Sequence, residues 1–397
     1  MTSPRDVEKP EALEHPLPAG MRDLLPEEAS RRRALAAKLM ECFALRGYAI
    51  VTPPAFEFAA VLERGLGDLD PRDVLRFVEP ESGEVAALRP DVTPQIARMI
   101  ATRMQNRHAP WRLAYEATVL RRRSGRARKS RQIPQVGIEL AGAPGFDGDV
   151  EVLRLATEGL AAAGLDRFTI DLGDASIVRS LLDGASDSVV ARATAALGRK
   201  DADELALCAA EEVAPHVALL AELVQVQGGR DAILEGARLT KGTAAEAGVL
   251  RLLDVFDAAV VATRGTSGQV SADLGEVRGF AYYTGTIFHA YAEGPGEPLG
   301  SGGRYDELLA RFGTPMPAVG FAFDLHALEW ARRSAGLEAA HEEARERVVV
   351  VGAPDDPRAT ALRARGIVAV TVRNAEEARA YAASWGFTRV LARGQSI

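Results

Sequence analysis

The stretch EVRGFAYYTGTIFHAY, residues 276–291, sets one cationic side chain, Arg278, among β-branched and aromatic types that suit a half-buried strand. A guanidinium in such surroundings calls for an anion, and its rigid fork of donors matches a carboxylate or phosphate held from two sides. Tyr282 and Tyr283 follow it; as neighbours on a strand they would face opposite sides, so one hydroxyl would share the arginine's side or its rim. A second polar set interrupts the apolar segment QVGIEL, where Gln135 and Glu139 stand four apart and therefore on one face of one strand. They either face solvent or line a pocket wall, where they would accept from an ammonium and from an imidazole or hydroxyl. Asp91, beside Pro90, is either a simple turn acid or a further member of that wall.

Two other features have chemical potential. Arg121, Arg122, Arg123, Arg126, Arg128, Lys129 and Arg131 fall within eleven residues and form either a solvated hairpin tip or a contact for phosphate, RNA or protein. The run SGGRYDELLARFG, residues 301–313, reads as a glycine turn before a helix, able to admit a ligand close to backbone. The phosphate loop G-x-x-x-x-G-K-[ST], the dinucleotide fingerprint G-x-G-x-x-G and the hydrolase elbow G-x-S-x-G are all missing. Cys42 and Cys208 lie far apart in apolar helical contexts and read as core filler, and the six histidines show no ligand-like clustering, so neither a disulfide framework nor a zinc site is expected. No cofactor is expected either.

The elements that must position these residues follow from periodicity and punctuation. The 397 residues, 47% hydrophobic, suffice for one large domain and a small one, and the net charge of −7 argues against broad nucleic-acid binding. No apolar run reaches membrane-spanning length and the polar start lacks a secretory apolar core, so a cytoplasmic location is expected. Residues 1–17 read as a disordered, Pro- and charge-rich tail. Pro26 with Glu27 and Glu28 opens a helix that Gly47 closes, and Pro53-Pro54 breaks a short strand. Thr93 and Pro94 read as N-cap and first residue of another helix, and segments 111–120 and 132–142 form a hairpin with the basic run at its tip. A helix ends at Gly164, strand and helix share 167–182, and 188–265 read as an all-helical insertion. Strands return at GQVSADL, the opening stretch and PAVGFAF, before a module of alternating strands and helices from about residue 336.

Taken in order, PAGMRDLLPEE, GYAIVTPPAFE, LRPDVTPQIAR, the 111–142 hairpin, EVRGFAYYTGTIF, GGRYDEL and PAVGFAFDL resemble the catalytic core of histidyl-tRNA synthetase over about residues 18–335. The resemblance implies an α+β, class II aminoacyl-tRNA synthetase-like antiparallel sheet flanked by helices, the helical insertion, and a small C-terminal α/β domain at 336–397. It also implies a histidine pocket: Arg278 on the carboxylate, Gln135 and Asp91 on the α-amino group, Glu139, Tyr282 and Tyr283 around the ring. Asp91 stands where the synthetases often carry Glu. The nucleotide residues depart from the pattern. At the third motif Ala327 replaces the phosphate-bracing arginine and Asp324 a glycine; in the second, Arg121 is kept as a phosphate or partner contact while Arg123 replaces a glutamate. A kept histidine pocket, an altered ATP site and a short tail resemble the regulatory-subunit family of ATP phosphoribosyltransferase. That resemblance implies a non-catalytic protein, needed for the first step of L-histidine biosynthesis and implicated in its feedback regulation by histidine. It implies a homodimer, formed through the first-motif segment, inside a hetero-oligomer with the short-form catalytic subunit, no membrane, and tRNA no longer a partner. The alternative is a divergent histidyl-tRNA synthetase.

Overall fold

The computed structural model describes residues 17–66, 74–121, 130–211, 216–277, 282–337 and 346–395. The chain forms two compact units, Met1–Ala335 and Gly336–Ile397. In the first, α1 (Pro26–Ala44) begins at its proline with acids in the first turn, and buries Leu35, Leu39 and Phe43 at a spacing of four. After the two-residue β1 (Ala49–Ile50), the prolines end strand pairing, and a small antiparallel sheet of β2 (Phe56–Phe58), β3 (Arg76–Val78) and β4 (Val85–Leu88) packs with α2 (Ala59–Leu66). The helix α3 (Thr93–Arg103) follows, then the long hairpin of β5 (Trp111–Leu120) and β6 (Gln132–Ala141), ten residues each; the tip of the basic run, 122–129, lies outside the described residues.

Beyond α4 (Gly145–Ala162), β7 (Thr169–Asp174) and α5 (Ala175–Leu181), the insertion contains α6 (Asp187–Arg199), α7 (Ala202–Glu211), α8 (Leu219–Leu223), α9 (Arg230–Leu239) and α10 (Glu246–Ala262). It is not wholly helical: β8 (Gln227–Gly228) breaks it and adds to the sheet edge beside β9 (Gln269–Asp273). The sheet is completed by β10 (Thr286–Tyr291), β11 (Gly300–Arg304) and β12 (Ala318–Asp324), and α11 (Leu325–Ser334) closes the unit. Strand order is β1-β5-β6-β12-β11-β10-β7-β9-β8; every pairing is antiparallel except β1 with β5 and β7 with β9. One face of the sheet packs on α1, α4 and α11 through Phe43, Phe321 and Phe323, with Phe43 edge-on to Phe321 at 5.7 Å. The other carries a core of Ile96, Ile100, Leu113, Tyr115, Val119, Ile133, Ile287 and Leu308. Among the described residues no helix is long and apolar enough to cross a membrane.

In the second unit β13 (Arg347–Val351), α12 (Pro357–Ala364), β14 (Val368–Val372), α13 (Ala375–Trp385) and β15 (Arg389–Leu391) build a parallel sheet of order β14-β13-β15. Val348 and Val350 pack with Leu362 of α12, while Val349 and Val351 pack with Ala378 of α13. Covering on both faces is why β13 is an unbroken valine run rather than an alternating one.

Candidate functional site

The second face of the sheet is paved with small residues where ligands could lie. Cross-strand register aligns Tyr115, Gly137, Ala322 and Ser301 in one row, and Glu139, Gly320 and Gly303 in the next. Period-two alternation puts every one of these on the same side. The missing side chains are what make room. A Cβ on Gly137 would sit 2.6 Å from the Tyr115 hydroxyl, and one on Gly320 would sit 2.0 Å from Glu139 Oε2 and 2.7 Å from Tyr305 Oη. Large polar side chains therefore lie flat on backbone and face inward around a cavity of about 60 Å³.

That cavity is lined by Asp91, Arg121, Gln135, Tyr282 and Tyr283, with Thr93, Tyr115, Ser301, Tyr305 and Gly320. Glu139 meets it over Gly320 and through Thr93, so six of the seven residues singled out from sequence are together; Arg278 lies outside the described residues. Solvent exposure is excluded for Glu139 and Asp91, which are 3% and 4% exposed, while Gln135 is half-buried with its Oε1 buried. The two tyrosines correct the sequence reading. They precede β10 instead of lying on a strand, and both rings are buried on the pocket side, 5.2 Å apart and edge-on. Alternation fails for them because the segment is not extended ladder.

Thr93 is a second correction. Val92, not Thr93, caps α3, and the Thr93 hydroxyl instead donates to Glu139 Oε1 at 2.6 Å. The glycine turn is a third, since Gly300–Arg304 is strand β11 itself, and only a short 3₁₀ turn (Leu309–Phe312) follows. Tyr282 donates to Asp91 Oδ2 at 2.7 Å, and Asp91 Oδ1 accepts weakly from the Thr93 amide. Arg121 is fixed by its Nε, which donates to the Pro90 carbonyl at 2.6 Å.

Three buried oxygens, Gln135 Oε1 and Tyr305 Oη of this lining and Glu139 Oε2 beside it, have no hydrogen-bond partner among the described residues. Buried acceptors are ordinarily satisfied by protein, water or ligand, so these three oxygens are where a polar group would bond. Burial, together with the neighbouring Asp91 charge, pushes the Glu139 carboxyl well above the usual carboxylate range although the Thr93 hydroxyl pulls it down. Burial and the same acids drive the Tyr282, Tyr283 and Tyr115 phenols upward, so they stay neutral donors. Sequence reasoning missed Thr93, Tyr115, Ser301 and Tyr305. The signal available was the alternation of Gln135, Gly137 and Glu139 along β6 beside the glycines of GGRY.

The turn into α11 is engaged in structure. Asp324 Oδ1 caps it by accepting from the His326 and Ala327 amides at 2.8 and 3.3 Å, and Ala327 is buried. His326 Nε2 lies 2.9 Å from Nη1 of buried Arg32, which also pairs with Glu329. Burial and then the Arg32 charge depress the His326 pKa to about 4, keeping the ring a neutral acceptor. Among the described residues lining the cavity, none with a cationic side chain comes from this turn.

These features define a class II synthetase-like core with a small, polar, largely buried pocket. A family model described as histidyl-tRNA synthetase matches residues 20–328. An ATP phosphoribosyltransferase regulatory subunit of an Anaeromyxobacter species is 42% identical over 350 residues, covering 87% of this chain and all of that protein. One from Moorella thermoacetica is 40% identical over 325 residues, covering 80% of this chain and 82% of the relative. A crystal structure from Bacillus halodurans C, titled ATP phosphoribosyltransferase regulatory subunit/histidyl-tRNA synthetase, superposes with a TM-score of 0.80 at 26% identity, over 97% of this chain and 100% of that one. The chain belongs to the ATP phosphoribosyltransferase regulatory subunit family, whose core is that of the histidyl-tRNA synthetases.

Proposed function

We propose that this chain is the non-catalytic regulatory partner of a short-form ATP phosphoribosyltransferase catalytic subunit, a glycosyltransferase, and that it senses L-histidine in the pocket floored by β6, β11 and β12. The observation that carries the pocket is the set of orphaned oxygens on Gln135, Glu139 and Tyr305 beside the acid Asp91. They suit the ammonium and ring N–H groups of an amino acid, with Tyr282 and Tyr283 packed against its ring and Arg278 assigned to its carboxylate by the match to the family's R-G-x-x-Y-Y element. Each charge-assisted bond contributes about 1.5–3 kcal/mol, so a few together give useful affinity. The non-catalytic part of the reading is supported by the α11 turn, where buried Ala327 takes the place of a phosphate-bracing cation.

Exposed Ile50 and Phe56 in the first-motif segment, with Phe58, Val78 and Val85 on the small sheet beside it, support a homodimer there; the larger assembly with the catalytic subunit and the cytoplasmic location follow from the family resemblance. Arg121 is assigned to phosphate or to the partner. Calorimetric titration with L-histidine and then ATP tests the reading: histidine binding without ATP binding is expected. Binding of ATP together with histidine-dependent pyrophosphate exchange would overturn it in favour of a synthetase, and failure to form a complex with a short catalytic subunit would remove the regulatory role.

A further inference from the structure

Glu139 holds an unusual position for an ionisable group. It is 3% exposed, and its only hydrogen bond among the described residues comes from the Thr93 hydroxyl to Oε1. Oε2 has no hydrogen-bond partner among the described residues and lies over Gly320, a residue of the cavity lining, where the unpartnered Tyr305 hydroxyl also approaches. Charged and titratable groups face it from every side of the pocket. Asp91 stands on the turn into α3, Tyr115 on β5 and Arg121 at the end of β5, with Tyr282 and Tyr283 ahead of β10 and Tyr305 after β11. Its own strand adds the amide of Gln135. No cation pairs with Glu139 among the described residues, and the guanidinium lining the cavity, that of Arg121, is tied to the Pro90 carbonyl. The charge that acts on it through space is like-signed, that of Asp91. A bare carboxylate in such a place is strongly disfavoured unless the guest brings the positive charge.

We propose that Glu139 exchanges a proton with the ligand: the empty site holds a carboxylic acid, and entry of an imidazole-bearing amino acid moves that proton from Oε2 to the ring nitrogen meeting it, leaving a carboxylate–imidazolium pair. The inference rests on the histidine reading of the pocket. One O–H bond breaks and one N–H bond forms, so a neutral ring enters with no net proton change. Below the ring's own pKa of about 6.5 the guest arrives already protonated, and binding must expel one proton to solvent. Above the pKa of Glu139 the empty site is ionised, and binding must take one up. Affinity is therefore greatest between the two. Proton inventory becomes part of the site's specificity, because a guest of the same shape with a ring too weakly basic to hold the proton forms no ion pair.

Two measurements test this. Titration of the protein with L-histidine near pH 5.5, in two buffers of different ionisation heat, should show release of about one proton per site, falling towards none near neutrality. Infrared difference spectra at neutral pH should show a protonated-carboxyl band in the ligand-free protein that is absent from Glu139→Gln and disappears when L-histidine is added. Binding without proton release near pH 5.5, or a carboxyl band missing from the ligand-free protein, means that Glu139 was ionised from the start and overturns the inference. Release with the band retained in the complex means that the proton never moved, and overturns it too. In both cases histidine still binds and the reading of the pocket survives. Failure of histidine to bind overturns both together.

Discussion

Replacing Thr93 by valine separates a structural pin from a ligand determinant. Its hydroxyl donates to Glu139 Oε1 at 2.6 Å, with Thr93 8% and Glu139 3% exposed, so bulk solvent does not replace it. Valine keeps the branched shape and strands Oε1 as a second bare acceptor. Leaving a buried group unsatisfied costs about 1–3 kcal/mol, which should appear as a lower urea midpoint at unchanged slope. The effect on binding is a difference between states. A hydrogen bond to a neutral acid is worth about 0.5–1.5 kcal/mol and one to an anion about 1.5–3. If Glu139 is an acid when empty and an anion when occupied, the variant loses roughly 1–1.5 kcal/mol more in the complex, about five- to tenfold in Kd for L-histidine. Thr93→Ser gives the opposite pattern: it costs about 0.8 kcal/mol for the lost methyl and keeps affinity. Calorimetry and urea unfolding on the two variants decide the matter. A valine variant as stable and as tight-binding as wild type, or a serine variant that binds worse than valine, would refute the reasoning.

Glu139→Gln should change the pH dependence of stability. The carboxyl's folded pKa is raised, so between its unfolded value of about 4.3 and the folded one the native state holds a proton that the unfolded chain has lost. Stability therefore falls with rising pH, by about 1.4 kcal/mol per unit, and the glutamine variant should be spared that fall in urea titrations run from pH 4 to 8. Arg304→Met should cost about 3–5 kcal/mol, because it strands Asp149, 1% exposed and paired to Arg304 at 2.8 Å; adding Asp149→Leu should restore much of the loss. Arg278→Ala should weaken L-histidine binding by about 10- to 150-fold in the same calorimetric titration, with the urea midpoint unchanged; undiminished affinity would move the effector site elsewhere.

Legibility from sequence differed between fold and site. Helix starts were readable where local chemistry dominates, as at Pro26 with its following acids. The parallel module was readable because its valine run is buried on both faces. The insertion's β8 was not, since a two-residue strand exists only by pairing with β9. Thr93 looked like a helix cap because cap preference is local, whereas in the fold α3 begins after Val92 with Thr93 already inside it, and the hydroxyl donates to a carboxyl brought from β6. Tyr282 and Tyr283 were recognised as pocket residues by type, and misplaced on a strand because β-propensity reflects burial as much as extended backbone.

What the sequence alone determined were the types and the short-range spacing: an amide and an acid four apart on β6, an acid before α3, two tyrosines before β10. The shared face of Gln135 and Glu139 follows from alternation along a strand, which no neighbour can change. What only tertiary structure decided was the pairing, Thr93 with Glu139 46 positions away and Tyr282 with Asp91 191 positions away. The unsatisfied oxygens were decided there too. Whether a carboxyl is solvated, bonded or bare depends on which backbone closes over it, and at Glu139 that is Gly320, brought alongside by β12.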